Sequence, residues 1–260
     1  MTNVHPTAIL PSDVILGDEV EVGPYAVVEP GAVIGAGSRI GPHVTIGPRV
    51  VLGRRVQVFP GAALGLPPQI RPSVPELGGV QVGDDTVIRE YVTVNAGSRR
   101  ADGEIGSTRV GARCMIMAYA HVGHDCIVED DVILVNGATL GGFVRVEHHA
   151  TVSAMVPVHQ HVRIGAYSYV GGGFRVVQDV PPYVLAAGEP LKPYGLNVVG
   201  LRRNGFTTEQ LRGLRAIYHH FFRSGLNTAQ ALARIEDLEP SFERDRFAAF
   251  LRATRRGVVR

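Results

Sequence analysis

Along most of this chain every sixth residue is aliphatic. The first run is Leu10, Leu16, Val22, Val28, Ile34, Ile40, Ile46, Leu52, Val58 and Leu64, continued by Val82, Ile88 and Val94. A second run goes from Val110 and Ile116 through Val122, Val128, Leu134 and Leu140 to Val170 and Val176, for 25 positions without a polar residue. A period of six fits neither a helix nor simple alternation, so it marks a short structural repeat. Each hexad reads as a short strand and a corner, the aliphatic residue pointing inward. The next residue is often glycine (Gly17, Gly23, Gly35, Gly41, Gly47, Gly53), read as helping the chain turn. The position two before each aliphatic is mostly small or β-branched (Val20, Ala26, Ser38, Val44, Ala120, Cys126), and alternation turns it inward too. Three hexads close one triangular coil of a parallel β-helix. Coils stack about 4.8 Å apart, so roughly eight of them make a prism on the order of 40 Å long.

The period is broken twice. Residues 66–79 carry Pro67, Pro68, Pro72 and Pro75, which cannot donate to a ladder, and predict a loop. Residues 95–108 are polar and glycine-containing and predict a second. Long loops on a rigid scaffold often carry function. After Val176, Pro181-Pro182 and the stretch Gly188 to Gly195 read as a linker. Helices follow. Thr207-Thr208-Glu209-Gln210 has the form of a capping box ahead of Leu211, Leu214, Tyr218, Phe221 and Phe222, with Gly225 as the stop. A second helix is predicted over 228–238 and a third over 241–253, the latter with Phe242, Phe247, Phe250 and Leu251 inward. The expected organisation is a β-helix over 1–188 and a linker with a helical unit over 189–260.

Composition narrows the setting. No apolar run of membrane-spanning length and no signal peptide is evident, so a cytoplasmic protein without a membrane span is expected. Cys114 and Cys126 fall on inward positions and read as core. Residues 200–260 hold 12 arginines against six acids, in a chain of net charge +2. A basic helical cap suits an acidic partner, or is an ordinary solvated surface. No nucleic-acid motif is present, and no nucleic-acid partner is expected.

The densest reactive cluster is Tyr119-Ala120-His121-Val122-Gly123-His124-Asp125-Cys126. With Val122 inward, His121 and His124 lie near a corner. Asp125 beside His124 offers a base with a carboxylate to orient it; the alternative is a surface hydrogen bond. Residues 18 apart stack, so Gly142 should lie over His124 and Gln160 over Gly142, with His159 adjacent. A glycine there leaves a backbone N–H open beside the imidazole. Base plus bare N–H is the minimum for acyl transfer. A zinc site would need three converging imidazoles. His148 and His149 are consecutive and do not stack with His124, which disfavours that reading.

These residues resemble those of the UDP-N-acetylglucosamine 3-O-acyltransferases that begin lipid A synthesis. The likeness runs from His5-Pro6-Thr7-Ala8-Ile9 through Ile88-Arg89-Glu90, the Ala120–Cys126 segment, Val158-His159-Gln160 and Gln178–Val184 to Gly200-Leu201-Arg202-Arg203 and Thr254-Arg255-Arg256-Gly257. The hexads are shared by many acetyltransferases; the His-Asp-Cys segment together with linker and cap is the specific part. The resemblance implies a mainly β fold, a left-handed parallel β-helix with a C-terminal α-helical domain, against the usual crossover hand. It implies a homotrimer with sites between neighbouring prisms. By analogy His124 is the general base, Asp125 orients it, and the Gly142 N–H holds the oxyanion. His121, His159, Gln160, Asn197 and Arg203 would bind the UDP-sugar, and Gly172 would leave room for the acyl chain. The donor would be the thioester of acyl carrier protein, an acidic partner, with no further cofactor and no metal.

The chain departs from the family pattern in the acceptor shell. Phe143 and Pro190 stand where histidines are usual. Glu76 is the only acid of the first loop, Asn95-Ala96-Gly97-Ser98 replaces a more usual His-Arg-Gly-Thr, and Asn204 replaces an arginine. A same-fold acyl- or acetyltransferase acting on a different nucleotide sugar, including a 3-amino sugar, is therefore an open alternative, and a non-catalytic β-helix homologue is the other.

Overall fold

The computed structural model describes residues 1–71, 78–99 and 103–260. Two- to four-residue strands recur every six residues and stack on the strands of the coils above and below. They form three parallel faces of a left-handed β-helix. Face one runs from Asn3–Val4 to Tyr169–Val170 and on into Val184–Ala187. Face two runs from Val27–Val28 to Pro157–Val158, and face three from Ile15–Leu16 to Arg163–Ile164.

The inward pattern holds. Of the periodic aliphatics, Leu10 and Leu16 at the open end are half-buried, and those from Val22 to Val176 are buried. Val20, Ala26, Ser38, Val44, Ala120 and Cys126 are buried as well. Ser38 satisfies its hydroxyl internally: it donates to Gly53 C=O and accepts from Val56 N–H, both at 3.0 Å.

The glycines work differently from the expectation. The residue with left-handed backbone is not the one just after each aliphatic but the one three after it: Glu19, Tyr25, His43, Arg55, Tyr119, Asp125, Phe143 and His149, with φ of 55–62°, and glycines such as Gly31 and Gly37, with φ of 76° and 72°. Gly17 and Gly35 have no positive φ. Instead, a Cβ on Gly17 would stand 2.6 Å from Ala36 N, and one on Gly35 would collide with Gly53 C=O. Glycine there lets adjacent coils touch at their corners.

At both breaks in the period the chain passes from face two to face three. The first lies between Ala63–Leu66 and Gly79–Val82, the second between Thr93–Asn95 and Ser107–Val110. Leu52 pairs with Val82 and Val82 with Val110, steps of 30 and 28 residues where Val110 to Val128 takes 18. Leu66, Gly79, Asn95, Ser107 and Thr108, assigned to loops from sequence, belong to strands. Glu76 lies outside the described residues.

The stretch read as a linker is folded. Lys192–Leu196 runs antiparallel to Val184–Ala187 and extends face one. Helix α1, Val198–Arg203, follows; no apolar period marks so short a helix. Then come α2 (Thr208–Phe222), α3 (Thr228–Glu236) and α4 (Phe242–Ala253). The capping box forms as read: Gln210 N–H donates to Thr207 Oγ1, and Thr207 N–H to Gln210 Oε1. Leu211, Leu214, Ile217 and Phe221 of α2 pack with Ile235, Phe247, Phe250 and Leu251 in a second core. Phe242 was expected inward but is 67% exposed, with the Arg246 guanidinium 4.9 Å from its ring centre. At the first turn of α4 its side chain precedes the stripe that meets α2. Among the described residues no helix is long and apolar enough to cross a membrane.

Candidate active site

His124 and Asp125 sit on the corner joining His121–Val122 of face two to Ile127–Val128 of face three. Asp125 has the left-handed backbone of its corner, φ 59°. That conformation turns its side chain back beside its neighbour, and His124 Nδ1 donates to Asp125 Oδ2 at 2.8 Å. A carboxylate accepts only, so this contact places the proton on Nδ1 and leaves Nε2 as the acceptor. The Asp125 side chain is 0% exposed and that of His124 14%. Burial pushes the Asp125 carboxyl up, but the hydrogen bonds from His124 and from the Ser98 hydroxyl and N–H outweigh it and hold the group below its usual range.

The coil above brings Gly142 onto the imidazole. A Cβ at Gly142 would stand 2.5 Å from His124 Nε2, and only glycine leaves room for the ring. The corner stays in register because Phe143 N–H donates to His124 C=O at 3.0 Å. Among the described residues no hydrogen-bond partner takes the Gly142 N–H. The surroundings are aromatic and imidazole-rich. Phe143 meets His124 edge-on at 5.1 Å and stacks flat on His161 at 4.7 Å. His121 shares a 2.8 Å hydrogen bond with Thr93 Oγ1, and burial, with His124 nearby, pulls its pKa down. Burial lowers His161 too, helped by Arg256, His124 and His159. His159 and Gln160 occupy the next corner up, with His159 Nδ1 3.1 Å from Gln160 C=O.

The residues expected to share a site are split. His121, His124, Asp125, Gly142, His159 and Gln160 line face two and its edge with face three. Gly172 lies on the edge between faces one and two, where a Cβ would stand 3.2 Å from Ala154 C=O. Asn197 lies against the edge between faces three and one, donating from Nδ2 to Tyr167 C=O at 2.9 Å. It also caps α1, accepting from Gly200 N–H. Arg203, in the last turn of α1, is exposed. Thr108 and Gly106 were not singled out from sequence, and Ser98 was named only within Asn95-Ala96-Gly97-Ser98, as a departure from the family pattern. Ser98 Oγ and N–H donate to Asp125 Oδ2 at 2.6 and 3.0 Å, and Asp125 N–H donates to Thr108 Oγ1 at 2.8 Å. Beyond that, their signal was membership of the second loop. Among the described residues no three His, Cys, Asp or Glu side chains are arranged to hold a metal ion. Cys114 and Cys126 are buried, and burial raises both thiols to about 12.

A hexapeptide prism with a carboxylate-bonded imidazole packed against a glycine whose N–H is unbonded among the described residues fits an acyltransferase of the hexapeptide-repeat class. The hexapeptide description "Bacterial transferase hexapeptide (six repeats)" matches residues 13–48 and 107–142. The description "Udp N-acetylglucosamine O-acyltransferase; Domain 2" matches residues 179–259. An acyl-[acyl-carrier-protein]--UDP-N-acetylglucosamine O-acyltransferase of Syntrophobacter fumaroxidans is 42% identical over 259 residues, 99% of each chain. One of Alkalilimnicola ehrlichii is 42% identical over 200 residues, 76% of each. The crystal structure of UDP-N-acetylglucosamine O-acyltransferase from Moraxella catarrhalis superposes with a TM-score of 0.95 at 34% identity, covering 99% of both chains. The chain belongs to the acyl-[acyl-carrier-protein]--UDP-N-acetylglucosamine O-acyltransferase family.

Proposed function

We propose that this protein transfers a (3-hydroxy)acyl group from the thioester of acyl carrier protein to the 3-position of UDP-N-acetylglucosamine, an early step of lipid A biosynthesis. The observation that carries the reading is the contact of Gly142 with the Nε2 side of an imidazole whose Nδ1 is tied to Asp125. His124 Nε2 takes the proton of the sugar hydroxyl as its oxygen attacks the thioester carbonyl. The carbonyl oxygen gains charge and accepts from the Gly142 N–H. Collapse breaks the C–S bond, and the imidazolium returns the proton to the departing thiolate. Asp125, ionised at neutral pH by its depressed pKa, holds the tautomer and stabilises the imidazolium. No cofactor enters, because the thioester is already activated.

In this reading His121, His159, Gln160, Asn197 and Arg203 bind the UDP-sugar. Arg203 suits phosphate through its paired donors. Asn197 has spare donor and acceptor capacity beyond its cap. Gly172 borders the acyl chain. These residues lie on separate edges of one prism, so the site is completed between chains, which favours a homotrimer. A heterologous interface closing on itself sets one edge of a chain against a different edge of the next. Tyr91, Tyr119 and Met155, 54–69% exposed on the edge between faces one and two, are the apolar surface such a contact would cover. The basic helical cap suits the acidic carrier. The two units, 1–188 and 189–260, divide the work between scaffold and cap, and the protein acts in the cytoplasm.

Phe143 favours a second acceptor. Its ring brings apolar surface to the place beside His124 where a polar sugar contact is usual, so a different nucleotide sugar, including one with a 3-amino group, is the alternative. The test is mass spectrometry of the product from a mixed pool of acyl-carrier thioesters and UDP-sugars. An O-acylated UDP-N-acetylglucosamine supports the main reading; an amide of a 3-amino sugar supports the second; no acyl product from any pair overturns both.

A further inference from the structure

We propose that Ser98, on the second loop, is a positioning residue for this acyl transfer. It holds the Asp125 carboxylate in the orientation that meets His124, and the inference rests on reading His124 as the base. The Asp125 side chain is 0% exposed, so its charge must be met by donors inside the protein. Among the described residues three donors converge on one oxygen: Oδ2 takes His124 Nδ1 at 2.8 Å, Ser98 N–H at 3.0 Å and Ser98 Oγ at 2.6 Å. Ser98 thus supplies two of the three. The other oxygen, Oδ1, is buried without a partner among the described residues. It lies against Gly106, where any Cβ would collide with it.

The loop is shaped around this contact. Gly106 N–H donates to Ser98 C=O at 2.7 Å, closing the loop's base across the carboxylate. Two residues on, Thr108 accepts from Asp125 N–H at 2.8 Å and pins the corner. Ser98 is 3% exposed and is not a surface serine.

The chemistry of the partner matters. One corner further along the chain, Asp131 has the same φ of 59° but is gripped by the Arg113 guanidinium at 2.8 and 2.7 Å. A cation there neutralises the carboxylate. A neutral hydroxyl orients Asp125 and leaves its charge available to the imidazolium formed during reaction.

The test uses the full chain, an acyl-carrier thioester and UDP-N-acetylglucosamine. Ser98→Ala should lower kcat about tenfold with little change in either KM. The acid limb of the kcat/KM profile should move to higher pH, because a carboxylate stripped of its hydroxyl donor draws the imidazole proton more strongly. Among the described residues the other titratable groups acting on His124 are His121 and His161, with Arg256 and His159 beside His161, and Ser98→Ala leaves them in place. Ser98→Thr should restore both rate and profile. An unchanged kcat and profile in Ser98→Ala overturns the proposal. So does a lost rate with an unmoved acid limb that Ser98→Thr does not restore. His124→Ala separates the two claims: full activity there removes the base itself, whereas an inactive His124→Ala beside a normal Ser98→Ala removes only the role of Ser98.

Discussion

Two edges of the same prism use one backbone conformation for opposite ends. On the edge between faces three and one, the left-handed positions form a column of ion pairs and stacked rings. Arg55 grips Asp85 at 2.6 and 2.7 Å, and Arg113 grips Asp131. His149 lies 3.7 Å from Asp131 and stacks on Tyr167 at 4.8 Å, and Tyr167 stacks on Tyr183 at 5.9 Å and meets Phe206 of the helical cap. On the edge between faces two and three, the equivalent positions are Asp125, Phe143 and His161. Here, among the described residues, a buried carboxylate oxygen lacks a partner and a backbone N–H stays open, and the two breaks in the period lie just below. The Ser168 and Tyr183 hydroxyls of the first edge are also buried without a partner among the described residues, so what sets the second edge apart is its carboxylate-bonded imidazole beside an unbonded N–H. The first edge joins scaffold to cap; the second is arranged for chemistry.

Substitutions on the two edges should therefore part activity from stability. The largest effect is expected for His124→Ala. Its kcat should fall by more than about two orders of magnitude, read with saturating thioester and sugar, while thermal melting stays near that of the parent. Gly142→Ala should follow, with a loss of about 100-fold, since the new methyl pushes the imidazole away and disturbs the oxyanion donor. A Gly142→Ala protein of normal rate would show that the contact is packing alone.

On the quieter edge the readout is stability. Tyr167→Ala removes the ring that joins His149, Tyr183 and Phe206, and should cost about 2 kcal/mol in denaturant unfolding. Glu129 gives a pH signature. Burial pushes its carboxyl up, but His148 and Arg145 outweigh that and bring it to about 2. A depressed folded pKa means the unfolded chain takes up the proton first. The contribution is whole above the unfolded carboxyl pKa of about 4.3 and is lost as pH falls toward 2. Glu129→Gln should flatten melting temperature against pH in that window. The smallest effect belongs to Asp131→Asn: an exposed ion pair is weakened, melting falls slightly, and kcat is unchanged. A clear loss of kcat there would erase the distinction between the edges.

Most of the scaffold was legible because burial in a hexad is local. An aliphatic at every sixth position faces the axis whatever the coils do, and the capping box of α2 rests on neighbours three residues apart. His124 under Gly142 was legible too, because no insertion separates them and the step of 18 holds. The hairpin of Val184–Ala187 with Lys192–Leu196 was hidden by prolines and glycines that also suit a linker. Helix α1 is too short for a period, and Phe242 was misjudged because an arginine, not the core, covers its ring.

The sequence by itself determined the repeat, the inward set and the pairing of imidazole with open amide, since each follows from fixed spacing along one chain. Only the tertiary structure decided that both breaks in the period fall where the chain passes from face two to face three, as it does at His124, and that Ser98 reaches Asp125 from 27 residues away. The physical reason is that three corners of a coil are alike in hydrophobic pattern, and an insertion that breaks the step of 18 erases the register by which one corner could be matched to another.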